Sequence, residues 1–306
     1  MTKLSNGAAA LLWMSGALVS FMAMAVGIRE LSADLSTFQI LFFRSLVGVG
    51  VACSLLTVSG WRQIRTRKLA THAARNIAHF CGQFGWAFAI AIIPMAEVFA
   101  IEFTTPLWTA VLAALFLGER LTRARVAAIF LGFMGVLVVL RPGVEIIDMA
   151  ALAVLASALC YAVSHALTKG MSTTETPLSI IFYMAVIQLP LGLVPSLYNW
   201  VWPSGAAWGW IVVVGVAALN AHYCIVRAFQ RADATVVVPL DFLRLPLIAL
   251  VGFVFYQEPL DMWVLAGAAL IFAGTWFNVR SVTSKQTAGT APAAQDDASS
   301  NRSASK

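Results

Sequence analysis

Four ionisable side chains lie deep inside long apolar stretches of the sequence: Arg44, Glu102, Asp241 and Arg244. A charge removed from water is expensive unless a partner neutralises it, so these residues are candidates for ligand binding or proton transfer. Asp241 and Arg244 are three residues apart, which places them on the same face of a helix. They can therefore neutralise each other, or one of them can be released when a ligand binds.

Glu102 and Arg44 extend this set of charges. In an internal repeat described below, Glu102 occupies the position that corresponds to Asp241, and two symmetrically placed acids are suited to binding and releasing a coupled proton. Arg44 has no charged counterpart, since Ala185 lies nearby in a rough alignment. It can pair with Glu102 or bind a substrate carboxylate through two guanidinium nitrogens. The alternative for all four charges is a set of fixed interhelical salt bridges that sets the helix register.

Other polar and aromatic side chains are weaker candidates. His79 and His222 lie in similar tetrapeptides, AHFC and AHYC, but their flanking segments do not align, and we interpret this match as chance. We expect each to be a neutral histidine bonded to a neighbouring helix, with a proton relay as the alternative, and their spacing does not indicate a metal site. Four further residues are suited to lining a cavity for a flat or amphipathic substrate: Gln83, Trp86, Trp108 and Tyr161.

The elements that must position these residues are long apolar segments. Of the 306 residues, 60% are hydrophobic and 11% are charged, and the mean hydropathy is +0.84. A soluble domain carries about 25% charged residues, whereas lipid accepts apolar surface directly. Segments of about 18–24 residues are long enough to span a hydrocarbon core of about 30 Å. We predict ten transmembrane helices over residues 8–28, 36–58, 74–92, 95–116, 124–140, 149–168, 178–198, 207–229, 234–255 and 261–279.

Lys and Arg are distributed unequally between the predicted loops. With the N-terminus in the cytoplasm, basic residues concentrate in the even-numbered loops, while only Arg29 and Arg141 fall outside. This asymmetry agrees with the positive-inside rule and with an even number of spans, so we expect both termini to be cytoplasmic. Residues 284–306 are polar and low in complexity, which predicts a disordered cytoplasmic tail.

A stretch in the second half of the sequence repeats a stretch in the first half. Residues 102–141 align without a gap against residues 241–280, and Glu119 matches Glu258 in this alignment. Each of these two carboxylates precedes the following helix, where the helix dipole favours a negative charge, so we predict capping, with gating as the alternative. Glycines at small-residue spacings in both copies indicate close helix packing.

The repeat divides the chain into two halves, residues 8–141 and 149–280. Each half contains five predicted spans, an odd number, so the two halves must insert with opposite orientations. The basic loop GERLTRAR of the first half falls inside, whereas its counterpart QEPLDM has no Lys or Arg and falls outside. Inverted repeats are a recurring plan of secondary transporters, whose substrate site lies near the middle of the membrane. The predicted fold is an all-α integral membrane protein of two inverted five-helix repeats.

Two stretches of the sequence resemble the EamA-type repeat of the drug/metabolite transporter superfamily. The first is TPLWTAVLAALFLGERLTRARVAAIFLGFMGVLVVLRPG, and the second, a weaker match, is VVPLDFLRLPLIALVGFVFYQEPLDMWVLAGAALIFAGTWF. The run FQILFFRSLVGV, which contains Arg44, is similar to that family's pattern of an arginine within an apolar helix. The resemblance covers residues 8–280 and is looser in the second half, where YQEP replaces LGER. It implies a ten-helix bundle with a central cavity that moves a small organic metabolite without a bound cofactor.

We therefore expect a secondary transporter of the bacterial inner membrane that exports an amino-acid-like zwitterion or a carboxylate, with proton coupling. Import of a vitamin or nucleoside-like metabolite, of the riboflavin or S-adenosylmethionine type, is the alternative. A membrane-embedded enzyme or a scaffold is the alternative class, but the sequence has no interfacial cluster of His, Asp or Ser and no Walker A motif. The expected partners are a small-molecule substrate and the lipid bilayer, and we expect no nucleic acid. The sequence does not decide between a monomer and a homodimer.

Overall fold

The computed structural model describes residues 6–117, 123–142, 148–171, 174–232 and 234–289. Within these ranges the chain is helical, with two short 3₁₀ turns and no β-strand. The α-helices are α1 Asn6–Leu31, α2 Thr37–Ser59, α3 Leu69–Ile90, α4 Met95–Glu102, α5 Thr105–Leu117, α6 Arg123–Leu140, α7 Met149–Met171, α8 Pro177–Ser196, α9 Ala207–Phe229, α10 Ala234–Phe242, α11 Arg244–Tyr256 and α12 Met262–Gly289.

Seven segments are helical, long and apolar enough to cross a membrane: Ala9–Leu31, Thr37–Ser59, Met95–Phe116, Met149–Met171, Pro177–Asn199, Ala207–Phe229 and Pro239–Tyr256. α6 and α12 contain shorter apolar segments, Val126–Leu140 and Met262–Phe277. The chain is therefore a multi-pass, all-helical membrane protein. The remaining predicted span, α3, is not among the seven because it carries polar side chains along one face.

The polar face of α3 is buried inside the bundle. An apolar core of side chains from most of the other helices surrounds it, and its own buried polar residues are His72, Arg75, Asn76, His79 and Gln83. A helix with this pattern lies between other helices with its polar face turned away from lipid, because lipid cannot satisfy those groups. Hydropathy along the sequence therefore underrates α3, since its polar residues face protein.

Two predicted helices are each broken near their middle, which differs from the continuous helices expected over residues 95–116 and 234–255. α4 ends at Glu102 and α5 begins at Thr105. The cause is Pro106, which lacks the backbone N–H that would donate to the Glu102 carbonyl. The Thr105 hydroxyl donates to this carbonyl instead, at 2.7 Å. The break therefore leaves the carbonyl satisfied inside the bundle.

The second break lies at the corresponding position of the repeat. α10 ends at Phe242 and α11 begins at Arg244, with Leu243 between them. Pro246 lies in the first turn of α11, where backbone N–H groups have no acceptor within the helix in any case. The two halves thus interrupt equivalent helices next to equivalent acids, Glu102 and Asp241.

The C-terminal helix is longer than the sequence pattern predicts. α12 continues through polar residues to Gly289, whereas disorder was expected from residue 284. Between Gly274 and Gly289 there is no glycine or proline to stop the helix. Residues 290–306 of the predicted tail lie outside the described residues.

Four helices of the first half, α1, α2, α3 and α6, each pack mainly against one helix of the second half. The four most extensive pairs are α6 with α12, α1 with α9, α3 with α7, and α2 with α8. Exchanging the two halves of the repeat maps this set of pairs onto itself. The packing therefore carries the internal symmetry that the sequence alignment indicates.

Glycines bring α6 and α12 into backbone contact. A Cβ atom added at Gly274 would lie 2.6 Å from the Ala128 carbonyl oxygen and 2.9 Å from the Gly132 nitrogen. A Cβ atom added at Gly135 would lie 2.6 Å from the Gly267 carbonyl oxygen. Main-chain atoms cannot rotate aside as side chains do, so this crossing tolerates only glycine at these positions.

We expect Gly274→Ala to lower the melting temperature of the protein purified in detergent. Unfolding is measured by tryptophan fluorescence. The added methyl group forces α6 and α12 apart, and overpacking of this kind costs about 1–3 kcal/mol. The matched control is Gly50→Ala on α2, where an added Cβ atom has no neighbour within 4 Å. Alanine favours helix over glycine, so this control should leave the melting temperature unchanged or slightly raised. Equal melting temperatures for the two variants would contradict the crossing.

Candidate functional site

A cavity of about 920 Å³ lies beside the two breaks. It runs from Glu102 and Asp241, at the breaks, to Phe116 and Lys169 near the ends of α5 and α7. Both halves of the chain therefore supply its walls. Nine of the ten predicted site residues line it: Arg44, His79, Gln83, Trp86, Glu102, Tyr161, His222, Asp241 and Arg244.

Trp108 is the predicted site residue that lies outside the cavity. Its indole ring packs edge-on against Phe133 of α6, with 4.8 Å between the ring centroids. The cavity-facing side of α5 instead carries Thr105 and Thr109, with Phe116 further along the same face. Sequence alone did not give the rotation of α5 after its break, and this rotation decides which side chains face the cavity.

Arg244 joins the two acids at the breaks. Its Nη2 donates to Asp241 Oδ2 at 2.7 Å, and its Nη1 lies 3.7 Å from Glu102 Oε1. Trp86 of α3 donates its indole N–H to Glu102 Oε2 at 2.8 Å. Asp241 is thus held tightly by the guanidinium group, whereas Glu102 is held by an indole and a more distant cation. One buried cation faces two carboxylates.

Aromatic rings enclose the Arg244 guanidinium group. Its Cζ lies 4.2 Å from the Phe21 ring centroid and 4.7 Å from that of Phe103. Phe103 in turn stacks on Phe242 with 4.0 Å between centroids, and these two residues correspond in the repeat. The negative faces of aromatic rings attract a cation, and the attraction grows when water is excluded. The rings therefore fix the cation between the two acids.

Arg44 lies on α2 and is only 8% exposed. Among the described residues it has no ion-pair partner, and its Nε has no hydrogen-bond acceptor. The suggested pairing with Glu102 is therefore absent in this conformation. A buried guanidinium group that lines a cavity without a carboxylate partner is suited to receiving an anionic group of a ligand.

The two histidines of the similar tetrapeptides lie next to each other in the cavity lining. The His79 and His222 ring centroids are 6.1 Å apart, and Tyr161 lies 5.5 Å from the His79 ring. His79 bonds to a neighbouring helix through Gln188, as expected, but His222 bonds within its own helix, to the Ala218 carbonyl. Among the described residues no group of His, Cys, Asp or Glu is arranged to hold a metal ion.

Several lining residues were missing from the sequence-based set of site residues. Phe103 had a signal, because the repeat alignment pairs it with Phe242. The polar groups Thr105, Thr109 and Lys169 had none, since each lies within a helix whose rotation the sequence does not fix. Phe21, in the featureless apolar run of α1, was equally hidden.

An ion pair lies at the other end of the bundle. Arg29, near the end of α1, donates to Glu258 at 2.6 Å and to the Ile93 carbonyl at 2.8 Å. Glu258 also accepts the backbone N–H of Met95, the first residue of α4, at 2.9 Å. We call the Arg29–Glu258–Met95 contact the lock. It joins α1 to the start of α4 and to the segment after α11, at the end opposite Phe116.

The lock differs from the capping role expected for Glu258. Asp261 caps α12 instead, since its Oδ1 accepts the Trp263 N–H at 2.8 Å. Glu258 uses its charge at the N-terminus of α4, where the dipole favours a carboxylate, and on a cation across the bundle. The corresponding Glu119 lies outside the described residues.

Several proteins resemble this chain over most of its length. The S-adenosylmethionine uptake transporter of Rickettsia felis is 27% identical over 88% of this chain and 92% of its own length. The riboflavin transporter of Rhizobium johnstonii is 32% identical over 72% of this chain and 74% of its own. The pseudopaline exporter CntI of Pseudomonas aeruginosa is 27% identical, covering 82% and 89%.

A solved crystal structure has the same fold as this chain. The TM-score is 0.62, with 20% identity, over 91% of this chain and 98% of the other. The model of the EamA-like transporter family matches twice, over residues 8–141 and 148–280. Two matches that together cover nearly all of the helical chain show that this protein belongs to the EamA-like transporter family.

Proposed function

We propose that this protein is a proton-coupled secondary transporter of the bacterial inner membrane that exports a small zwitterionic or carboxylate metabolite. The observation that carries the proposal is the pair of broken helices, which bring Glu102, Asp241 and Arg244 together at the wall of a 920 Å³ cavity. Broken helices that line a central cavity are typical of secondary transporters. Family membership and the names of the relatives support transport of a small metabolite and point away from catalysis.

The architecture that we propose has ten spans in two inverted halves with both termini in the cytoplasm. The seven long apolar segments, the shorter α6 and α12, and the polar α3 supply the ten spans. The distribution of Lys and Arg supports this orientation. In this arrangement the lock faces the periplasm and the cavity extends toward the cytoplasm, which is the conformation in which an exporter loads its substrate.

Labelling of single cysteines tests the inverted halves. In a chain whose four native cysteines are replaced by serine, we introduce one of two substitutions. Arg123→Cys lies at the start of α6, and Leu260→Cys lies in the segment just before α12. A membrane-impermeant maleimide added to intact cells should label only Leu260→Cys, because the two loops lie on opposite sides. Arg123→Cys should react only after the membrane is made permeable, because its loop lies on the cytoplasmic side. Both sites reacting from the same side would rule out the inversion.

The charges around Arg244 suggest how a proton is coupled to the substrate. Two half-buried carboxylates share the guanidinium group of Arg244, and Arg44, another arginine of the cavity wall, forms no ion pair with either of them. A proton on Glu102, the more loosely held acid, neutralises one of these two negative charges, and a bound ammonium group of the substrate does the same. Proton and substrate then compete for one carboxylate, and this competition produces exchange. When protons enter the cell down their gradient, this exchange moves the substrate out of the cell.

Neutralising the acids tests their role in both proton coupling and substrate binding. In proteoliposomes loaded with labelled substrate, we expect Glu102→Gln to reduce flux driven by a pH gradient at least tenfold. Exchange of labelled for unlabelled substrate across the membrane, which needs no net proton movement, should fall as well, because glutamine removes the carboxylate for which proton and substrate compete. Asp241→Asn should weaken both processes, because it also removes the tight partner of Arg244.

The matched control is Asp34→Asn, which removes a carboxylate from an exposed turn after α1. This variant should transport at the wild-type rate with the same dependence on the gradient. Full gradient-driven flux in both Glu102→Gln and Asp241→Asn would dismiss their role in coupling.

Arg44 is the residue that we assign to the substrate carboxylate. Charge-assisted hydrogen bonds contribute about 1.5–3 kcal/mol, so Arg44→Gln should raise the apparent KM about tenfold to a hundredfold. Arg44→Lys, which keeps the charge but loses the planar pair of donors, should give an intermediate value. Arg62→Gln, at an exposed position after α2, is the control. An unchanged KM in Arg44→Gln would remove this residue from the binding site.

Uptake is the second candidate direction, and the names of the relatives favour it. Transporters named for S-adenosylmethionine uptake and for riboflavin match this chain over 72% to 88% of its length, alongside the pseudopaline exporter. Uptake requires that proton and substrate bind together, whereas export requires that they compete. Vesicles of opposite orientation, energised by the same proton gradient, separate the two directions by the side on which substrate accumulates.

A further inference from the structure

His79 and His222 lie inside the cavity, and the coupling scheme above does not use them. His79 is buried and His222 is half-buried, and their rings lie 6.1 Å apart between centroids. Each is held through its Nδ1 atom, which leaves the Nε2 atom of each ring for other contacts. The hydrogen-bond partners of the Nδ1 atoms decide whether each Nε2 donates or accepts.

The partner of His222 makes its Nε2 an acceptor. His222 Nδ1 lies 2.8 Å from the Ala218 carbonyl oxygen on the same helix. A carbonyl oxygen only accepts, so the proton of the neutral ring is on Nδ1. The Nε2 atom of this tautomer carries a lone pair.

The partner of His79 makes its Nε2 a donor. His79 Nδ1 lies 3.0 Å from Gln188 Nε2, and the same amide nitrogen lies 3.4 Å from the Asn76 carbonyl oxygen. The carbonyl requires a donor, so the Gln188 amide presents its NH₂ group on this side. That group donates to His79 Nδ1, and the proton of the His79 ring is therefore on Nε2.

The two rings thus offer one N–H donor and one nitrogen acceptor to the cavity. Among the described residues neither Nε2 has a hydrogen-bond partner, and neither is sealed from the cavity. Flat rings stand next to them: Tyr161 lies 5.5 Å from His79 and Phe21 lies 6.4 Å from His222, between centroids. A donor and an acceptor between aromatic walls match the edge of a planar ring that carries an acceptor and a donor.

We infer that His79 and His222 recognise a planar nitrogen heterocycle of the substrate, His79 by donating to a ring nitrogen or carbonyl and His222 by accepting from an N–H group. This inference rests on the proposed transport function and narrows its substrate class. Arg44 then holds an anionic or electron-rich group of the same molecule. The histidine pair acts on specificity, whereas Glu102 acts on coupling.

Two pairs of probes test the hydrogen-bonding edge on the purified full-length protein. Riboflavin is compared with 3-methylriboflavin, which lacks the N–H of the ring edge, and S-adenosylmethionine is compared with S-methylmethionine, which lacks the heterocycle. We expect the first member of at least one pair to bind about tenfold more tightly, as one or two buried hydrogen bonds provide. Binding is measured by calorimetry in detergent.

The variants His79→Phe and His222→Phe keep a flat ring and remove the hydrogen bond. Each should reduce the preference within the bound pair to less than about threefold. Tyr223→Phe, next to His222 in the sequence but on an exposed part of α9, removes a polar group outside the cavity lining and should keep the preference. Both histidine variants should stay folded, as judged by their melting temperatures.

The outcomes separate this inference from the transport function. Equal binding within both pairs, or a preference that survives in both histidine variants, overturns the inference. So does the absence of binding by all four probes in a protein that moves another metabolite in proteoliposomes. Proteoliposomes that move no metabolite, in a screen guided by growth of deletion and overexpression strains, would instead overturn the proposed function itself.

Discussion

The centre of this protein depends on one buried cation held between two acids. Arg244 bonds tightly to Asp241 and loosely to Glu102, and two phenylalanine rings enclose its guanidinium group. A charge at this depth in a membrane protein is tolerated only with such partners. Two carboxylates share the guanidinium group of Arg244, while Arg44, on the same cavity wall, forms no ion pair with either of them. In the proposed function this makes Glu102 the acid that a proton or a cationic substrate group neutralises.

The breaks in the two helices are what allow these charges to meet. A continuous helix bonds its carbonyl groups internally and turns its side chains outward at regular intervals. At Pro106 the chain leaves this pattern, and the Thr105 hydroxyl satisfies the carbonyl that becomes available. The equivalent break before Arg244 brings the second acid to the same level. Repetition of one break in two halves therefore produces a site that neither half contains alone.

The sequence predicted the helices and most of the cavity wall, for reasons that differ by residue. Charges such as Arg44 and Glu102 are conspicuous in apolar surroundings, and the repeat pairs Glu102 with Asp241. Trp108 shows the limit, because the rotation of α5 follows from a break that hydropathy does not reveal. The histidines show another limit: the similarity of their tetrapeptides looked accidental, since helix packing and not sequence register brings His79 next to His222.

The lock places one ion pair, Arg29 with Glu258, at the end of the bundle opposite Phe116. In the alternating access that the proposed transport implies, Arg29 must separate from Glu258 before this end of the bundle opens, so their attraction favours the conformation that is closed at this end. Apparent affinity is the intrinsic affinity scaled by the share of molecules that already have the receptive shape. Substitutions at this ion pair therefore change the apparent affinity for a substrate without changing the residues that contact it. Relatives that carry the same substrate can differ in this way when one meets it at low and another at high concentration.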